Sequence, residues 1–110
     1  MSCKIILSKK HLIVWIEGEK EMKRFDLGKV VMTKGVAENC IFEDYLECLK
    51  RHQSGDWGEL CEEDKQANDF AVENGERILS AYTIGFYKVK IWIITEWDRS
   101  CTTILLPEEY

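Results

Sequence analysis

The last third of the chain alternates apolar and polar residues with a period of two, and this feature constrains the fold more than any other. Such alternation predicts half-buried strands rather than helices. Three segments show it: RILSAYTI (77–84), KVKIWIITEW (88–97) and CTTILL (101–106). The connections IGFYK and WDRS are short enough for hairpins, and Pro107 ends the last strand. This region therefore predicts an antiparallel strand meander.

Two helices are predicted before the meander. The segment IFEDYLECLKRH (41–52) has an apolar stripe at helical spacing, and Gly55 is suited to end that helix. The stripe consists of Ile41, Phe42, Tyr45, Leu46 and Leu49. A second helix is predicted over residues 60–73, with acidic first turns and an exit at Asn74-Gly75. Its thin stripe, made of Leu60, Ala67, Phe70 and Ala71, predicts a surface helix.

Helices followed by a strand meander indicate an α+β fold, with two or three helices packed on one face of an antiparallel sheet of three to five strands. At 110 residues the chain, 1–110, is expected to form a single domain. Near the N-terminus, residues 4–16 predict two short strands joined by a turn at Ser8 to Lys10, and the charged run Glu17 to Arg24 predicts a solvated link. An exposed strand such as CTTILL or KIILS could pair with its copy in a homodimer.

Composition narrows the classes of function. A net charge of −5 does not favour broad binding of nucleic acid, which depends on Lys and Arg. The run IILSKKHLIVWI is too short and too interrupted to span a bilayer, and no clean cleavage site follows it, so we expect a cytoplasmic protein.

The five cysteines form no CxxC pair, which predicts reduced thiols that fill space in the core. We find no phosphate loop, metal-spaced His/Cys set or nucleophile elbow, and therefore predict no cofactor and no metal.

The stretch RHQSGDWGEL (51–60) is the first candidate site. His52 at a helix C-terminus, with Asp56 close by to accept a hydrogen bond from its imidazole, could form a general acid/base pair. A structural interpretation competes with this one. Glycines can adopt positive φ, Asp56 can cap the following helix, and Trp57 can fasten the loop to the core. We favour the structural interpretation and keep Asp56 and Trp57 as candidate binding residues.

The stretch TEWDRS (95–100) is the second candidate site. Glu96, Asp98 and Arg99 would project from a strand end, and Arg99 suits bidentate contact with a phosphate or carboxylate. The alternative is turn chemistry, in which Asp98 and Ser100 bond the local backbone and Arg99 pairs with Glu96 or Asp56. Turn chemistry is again the favoured interpretation.

Four segments together carry a family resemblance: FDLGKVVMTKGV, LKRHQSGDWGEL, EEDKQANDFAVENGERILSAY and IWIITEWDRSCTTILLPEEY. From residue 25 to 110 the chain resembles a family of short bacterial proteins, often carried on plasmids and other mobile elements, for which no activity is established. The hairpin TIGFYK and Trp97 depart from the family pattern. The resemblance begins just after Met22, so residues 1–21 are either an N-terminal extension or a hairpin that completes the sheet. It implies a mobile-element context rather than a mechanism.

Two functions follow as hypotheses. The favoured one is a non-enzymatic module that binds another protein, for instance as an inhibitor. Acidic patches at 59–64 and 107–110 and four aromatic anchors, Trp57, Phe86, Tyr87 and Trp97, would supply its interface. The alternative is a ribonuclease-like toxin domain. In that reading His52 and Glu96 exchange protons, Arg99 holds the phosphate and Arg77 supports it.

Overall fold

The computed structural model describes residues 3–5 and 23–110. Its strands are β1 (Cys3–Ile5), β2 (Lys29–Thr33), β3 (Ile78–Ile84), β4 (Val89–Thr95) and β5 (Cys101–Leu105). Its helices are α1 (Lys34–Asn39), α2 (Phe42–Ser54) and α3 (Glu62–Asn74), and a short 3-10 helix (Pro107–Glu109) ends the chain. The predicted turn at Ser8 to Lys10 and most of the predicted link after Glu17 lie outside the described residues.

The five strands form one sheet in the order β1-β2-β5-β4-β3. Three of the pairings are antiparallel, and β2 pairs with β5 in parallel. The predicted α+β fold with its C-terminal meander is therefore confirmed, and β2 is an additional strand that the sequence pattern did not reveal. The expectation that CTTILL offers a sheet edge is wrong, because β5 is paired on both sides. Within the part of the chain that the structure describes, β1, from the other suggested segment, lies at one edge of the sheet.

One face of the sheet carries the core and packs against the helices. In β4 the side chains that face the helices include Ile91 and Ile93, both 0% exposed. From the neighbouring strands, the same cluster receives Val30, Met32, Ile78, Tyr82 and Ile104. The helices contribute Val36, Tyr45, Cys48, Leu49 and Ala71. Because side chains alternate along a strand, Ala81, Trp92, Ile94, Thr103 and Leu105 lie on the opposite side, here called the second face.

The predicted helix ends are confirmed, whereas the predicted helix faces need correction. Gly55 and Gly75 end α2 and α3 with φ of 93° and 66°, in the left-handed region that glycine adopts easily. Ile41 precedes α2 and is 60% exposed, and Phe70 in α3 is 57% exposed. The buried face of α2 includes Cys48, His52 and Gln53, and α3 buries Asn68 and Ala71. The buried faces therefore include polar side chains, His52, Gln53 and Asn68, that the apolar pattern did not predict.

The outer edge of β3 is closed by groups from outside the sheet. Glu59 donates its backbone N–H to the carbonyl of Ala81 at 2.7 Å, and Ala81 donates to the carbonyl of Trp57 at 3.3 Å. The side-chain amide of Asn68 bonds both backbone groups of Leu79, at 2.7 and 3.3 Å. Since unpaired strand edges invite association, these contacts protect β3 from pairing with another chain at these two residues.

Candidate functional site

His52 lies in the core, between α2 and the sheet, and is 0% exposed. Its Nδ1 is 2.5 Å from Ser80 Oγ, and its Nε2 is 2.9 Å from Thr95 Oγ1. The chain of hydrogen bonds continues from Thr95 to Thr102 at 2.7 Å, and Thr102 donates to the carbonyl of Leu27 at 2.7 Å. Both ring nitrogens are therefore satisfied by buried hydroxyl groups.

The direction of this chain fixes the tautomer of His52. A carbonyl oxygen only accepts, so Thr102 gives its proton to Leu27 and must accept from the hydroxyl of Thr95. Thr95 then accepts from Nε2–H of His52, and Nδ1 accepts from Ser80. Every proton has one acceptor when the ring is neutral. A protonated ring would also donate from Nδ1, and the hydroxyl proton of Ser80 would then lose Nδ1 as its acceptor.

Burial lowers the pKa of His52 from 6.5 to about 3, with a smaller contribution from the positive charge of Arg99. Burial acts in this direction because it penalises the charged imidazolium. A general base works best with a pKa near the ambient pH and within reach of the substrate. His52 meets neither condition. It instead links α2 to β3 and β4 through hydrogen bonds buried in the core.

Trp57 fastens the loop between α2 and α3 to the core, as the structural interpretation predicts. The ring is 3% exposed, lies 6.1 Å from the ring of Phe25 in a stacked arrangement, and meets His52 edge-on at 5.9 Å. Its Nε1–H donates to Asp69 at 3.0 Å. A buried ring cannot anchor a partner, so the expectation that Trp57 is an interface residue needs correction.

Asp56 serves its own loop and not the histidine. Its carboxylate accepts from the guanidinium of Arg51 at 2.8 and 3.3 Å and from the backbone N–H of Gly58 at 3.3 Å. The hydrogen bond from Arg51 holds the pKa of Asp56 below its usual range. The expected contacts of Asp56 with His52 and with the start of α3 are both replaced by this local turn, since α3 begins after Cys61.

The TEWDRS stretch forms the β4–β5 turn. Asp98 accepts from the N–H and hydroxyl of Ser100 at 3.1 and 2.7 Å, which lowers the pKa of Asp98. Arg99, with a positive φ of 60°, turns its guanidinium toward backbone carbonyls and so ties this turn to the end of α3. The accepting carbonyls belong to Ala71, Glu76, Glu96 and Trp97. Its predicted pairing with a carboxylate is therefore replaced by carbonyl contacts.

The structure does not bring the proposed catalytic residues to one point. His52 bonds Thr95 on the helix-covered face, whereas Glu96, the next residue, lines a pocket on the second face with Ile94 and Thr103. The guanidinium of Arg99 lies over the ring of Phe25, at 5.7 Å, and Phe25 packs edge-on against the buried imidazole. One phosphate could not contact all three groups.

The pocket on the second face was not visible in the sequence. Its volume is about 180 Å³, and its walls are formed by Arg77, Ile94, Glu96, Thr103, Leu105, Glu109 and Tyr110. Arg77 lies 3.7 Å from the carboxylate of Glu96 and donates to the hydroxyl of Tyr110 at 2.8 Å. The sequence singled out Arg77 and Glu96 separately, but only the pairing of the strands places them together.

The tip of the β3–β4 hairpin carries the two most exposed aromatic side chains of the described residues. Phe86 is 89% exposed and Tyr87 is 86% exposed. Their rings meet edge-on with centroids 5.2 Å apart. Trp97, in the next turn, is 65% exposed. Three of the four predicted aromatic anchors are thus on the surface.

Residues 3–5 and 23–110 contain no group of three or more His, Cys, Asp or Glu side chains placed to hold a metal ion. Within the same residues, no helix has both the length and the apolar character to cross a bilayer. Comparisons with protein-family models, with curated proteins and with solved structures found no match.

Proposed function

We propose that the protein is a non-enzymatic interaction module that binds another protein through the tip of the β3–β4 hairpin. The observation that carries this proposal is the exposure of Phe86 and Tyr87. Burial of each of these large apolar side chains in an interface would contribute roughly 1.5–3 kcal/mol, which the free protein lacks. Exposed aromatic groups of this kind are the usual anchors of protein interfaces.

The hairpin holds these rings in a defined position. Ile84 and Val89 are the last paired residues, and Lys88 donates its N–H to the carbonyl of Gly85 at 3.2 Å. Gly85 and Lys88 have φ of 80° and 56°, so the tight turn places Phe86 and Tyr87 at its tip. A preorganised tip loses little conformational entropy on binding, which favours affinity.

Charge and context support the same role. The first turn of α3 carries three exposed acidic residues, Glu62, Glu63 and Asp64, that make no ion pair with other described residues. Such a patch would favour a partner with a basic surface. The resemblance to mobile-element proteins supports binding in the bacterial cytoplasm to a host or defence protein, with inhibition as the outcome. The ribonuclease alternative receives no support from the positions of His52 and Glu96.

Site-specific photo-cross-linking tests this proposal. A photoreactive phenylalanine analogue replaces Phe86 in one variant and Phe70 in a matched control, because Phe70 is also an exposed aromatic residue but lies on α3. After irradiation in the cells that carry the protein, we expect one defined protein adduct from position 86. Absence of an adduct at position 86, or equal adducts at both positions, would contradict the proposal.

A further inference from the structure

The first turn of α2 lies beside the base of the β3–β4 hairpin tip. A carboxylate oxygen of Asp44 is 3.6 Å from the position that a Cβ on Gly85 would occupy. Further along the same side of α2, the guanidinium of Arg51 lies over the ring of Tyr82 in β3, at 4.8 Å. The two α2 residues are separated by about 10.5 Å along the helix axis, and the two hairpin residues by about 10 Å along the strand. Because these distances agree, α2 runs antiparallel to β3 with its N-terminal end at the tip.

Ile41 lies level with the tip and enlarges its apolar surface. Asp44 donates its backbone N–H to the carbonyl of Ile41 at 3.1 Å, so Ile41 is one helical turn further in the direction of the tip. Such a turn adds about 4.5 Å to the rise, which carries the chain beyond the level of Gly85. Ile41 is 60% exposed, beside Phe86 at 89% and Tyr87 at 86%. Three large apolar side chains are therefore exposed at one end of the molecule.

The charge beside these apolar side chains is mainly negative. Asp44 is half-buried and Glu43 is exposed, and neither forms an ion pair with another described residue. By contrast, Glu47 in the next turn is paired with Lys50 at 3.5 Å. Lys88 in the tip is exposed and also forms no ion pair among the described residues. Two carboxylates and one ammonium group thus leave this end of the molecule with a net negative charge.

We propose that one partner protein covers the tip and the first turn of α2 together, and that it presents a lysine or arginine side chain to Asp44 among apolar side chains. This inference rests on the proposed function of the tip and specifies the chemistry of the partner. The partner would remove water from around Asp44, and a carboxylate with less water around it attracts a cation more strongly. Aromatic anchors would supply the burial, and the charge pair would fix the orientation of the partner. A second copy of this chain, with a net charge of −5, is a poor match for this surface.

Photo-cross-linking from two positions tests whether one partner covers both elements. The photoreactive phenylalanine analogue replaces Ile41 in one variant and Phe86 in another, in the full chain and in the cells that carry it. We expect adducts with the same protein from both positions. With the analogue at position 86, Asp44→Lys should lower the adduct yield at least about fivefold, because it replaces an attraction with a repulsion.

Glu73→Lys is the matched control for this charge reversal. Glu73 is also exposed and forms no ion pair among the described residues, but it lies in the last turn of α3. Its reversal changes the net charge by the same amount and should leave the adduct yield unchanged. Asp44→Asn removes only the charge and should lower the yield about two- to threefold. Circular dichroism establishes the fold of each variant, and Asp44→Asn decides the question if Asp44→Lys does not fold.

The outcomes separate this inference from the proposed function of the tip. An adduct from position 86 but not from position 41 would overturn the inference and leave the function of the tip intact. The same holds if the Asp44 variants give the same yield as Glu73→Lys. An adduct between two copies of this chain would also overturn the basic partner. Absence of an adduct at position 86 would contradict both proposals.

Discussion

The buried imidazole of His52 makes the stability of the protein depend on pH in a predictable window. The native ring takes up a proton only near pH 3, whereas an unfolded histidine takes one up near pH 6.5. Between these values the unfolded state binds more protons than the native state, so the free energy of unfolding rises with pH. This contribution is complete above about pH 6.5 and is lost as the pH falls toward 3.

The size of the effect follows from the two pKa values. Acidification from pH 7 to pH 4.5 should lower the free energy of unfolding by about 2–3 kcal/mol, since each pKa unit corresponds to roughly 1 kcal/mol or a little more. The native carboxylates of Asp56, Asp69 and Asp98 have pKa values lowered by hydrogen bonds, so their contribution falls mainly below this window. The pKa of Glu109 is also lowered, from a usual value of 4.5 at the lower edge of the window, so most of the loss between pH 6.5 and 4.5 should belong to His52.

Urea unfolding at a series of pH values measures this dependence. His52→Gln provides the test variant, because the amide of glutamine can accept from Ser80 and donate to Thr95 without titrating. It should remove most of the slope between pH 4.5 and 6.5. Asp98→Asn removes one of the carboxylates with a lowered pKa and should retain the slope. Equal slopes in the unmodified chain and His52→Gln would refute the assignment.

Two further predictions concern the loop that fastens α2 and α3 to the sheet. Trp57→Ala should lower the free energy of unfolding by about 3–5 kcal/mol, because the ring is 3% exposed; retained stability in urea would contradict its structural role. Gly58→Ala should cost about 2–4 kcal/mol, since φ is 76° and a Cβ would overlap the carbonyl of Ala81. Gly75→Ala, at φ 66° with open space around it, should cost only about 1 kcal/mol, and equal costs in thermal or urea unfolding would contradict the predicted clash.

The strand meander was predictable because its signal is local. Alternation over residues 77–106 and short turns are sufficient to define β3, β4 and β5. The parallel pairing of β2 with β5 was not predictable in this way, since Lys29–Thr33 is a short apolar run whose partner is about seventy residues away in sequence. Such pairings depend on long-range packing rather than on a local pattern.

The candidate site residues were also hard to interpret from local sequence. Side chains typical of catalysis occur at His52, Asp56 and Arg99, but their residue types alone could not show that they form hydrogen bonds within the core or with the backbone. Their contacts depend on which strand lies beside which helix. The exposed tip was partly visible, because Phe86 and Tyr87 stand between two strand patterns in a position usually filled by small polar residues. The sequence does not show that Trp57 is buried while Phe86 and Tyr87 are exposed, because burial depends on the folded chain.

The central claim is that the hairpin tip binds a partner protein. Its most direct test is the affinity for the partner cross-linked at position 86, measured by calorimetry with the double variant Phe86→Ala/Tyr87→Ala and with Phe70→Ala. The double variant should bind at least about thirtyfold more weakly, a loss of about 2 kcal/mol, whereas Phe70→Ala should bind like the unmodified chain. An affinity unchanged by the double variant would contradict the claim.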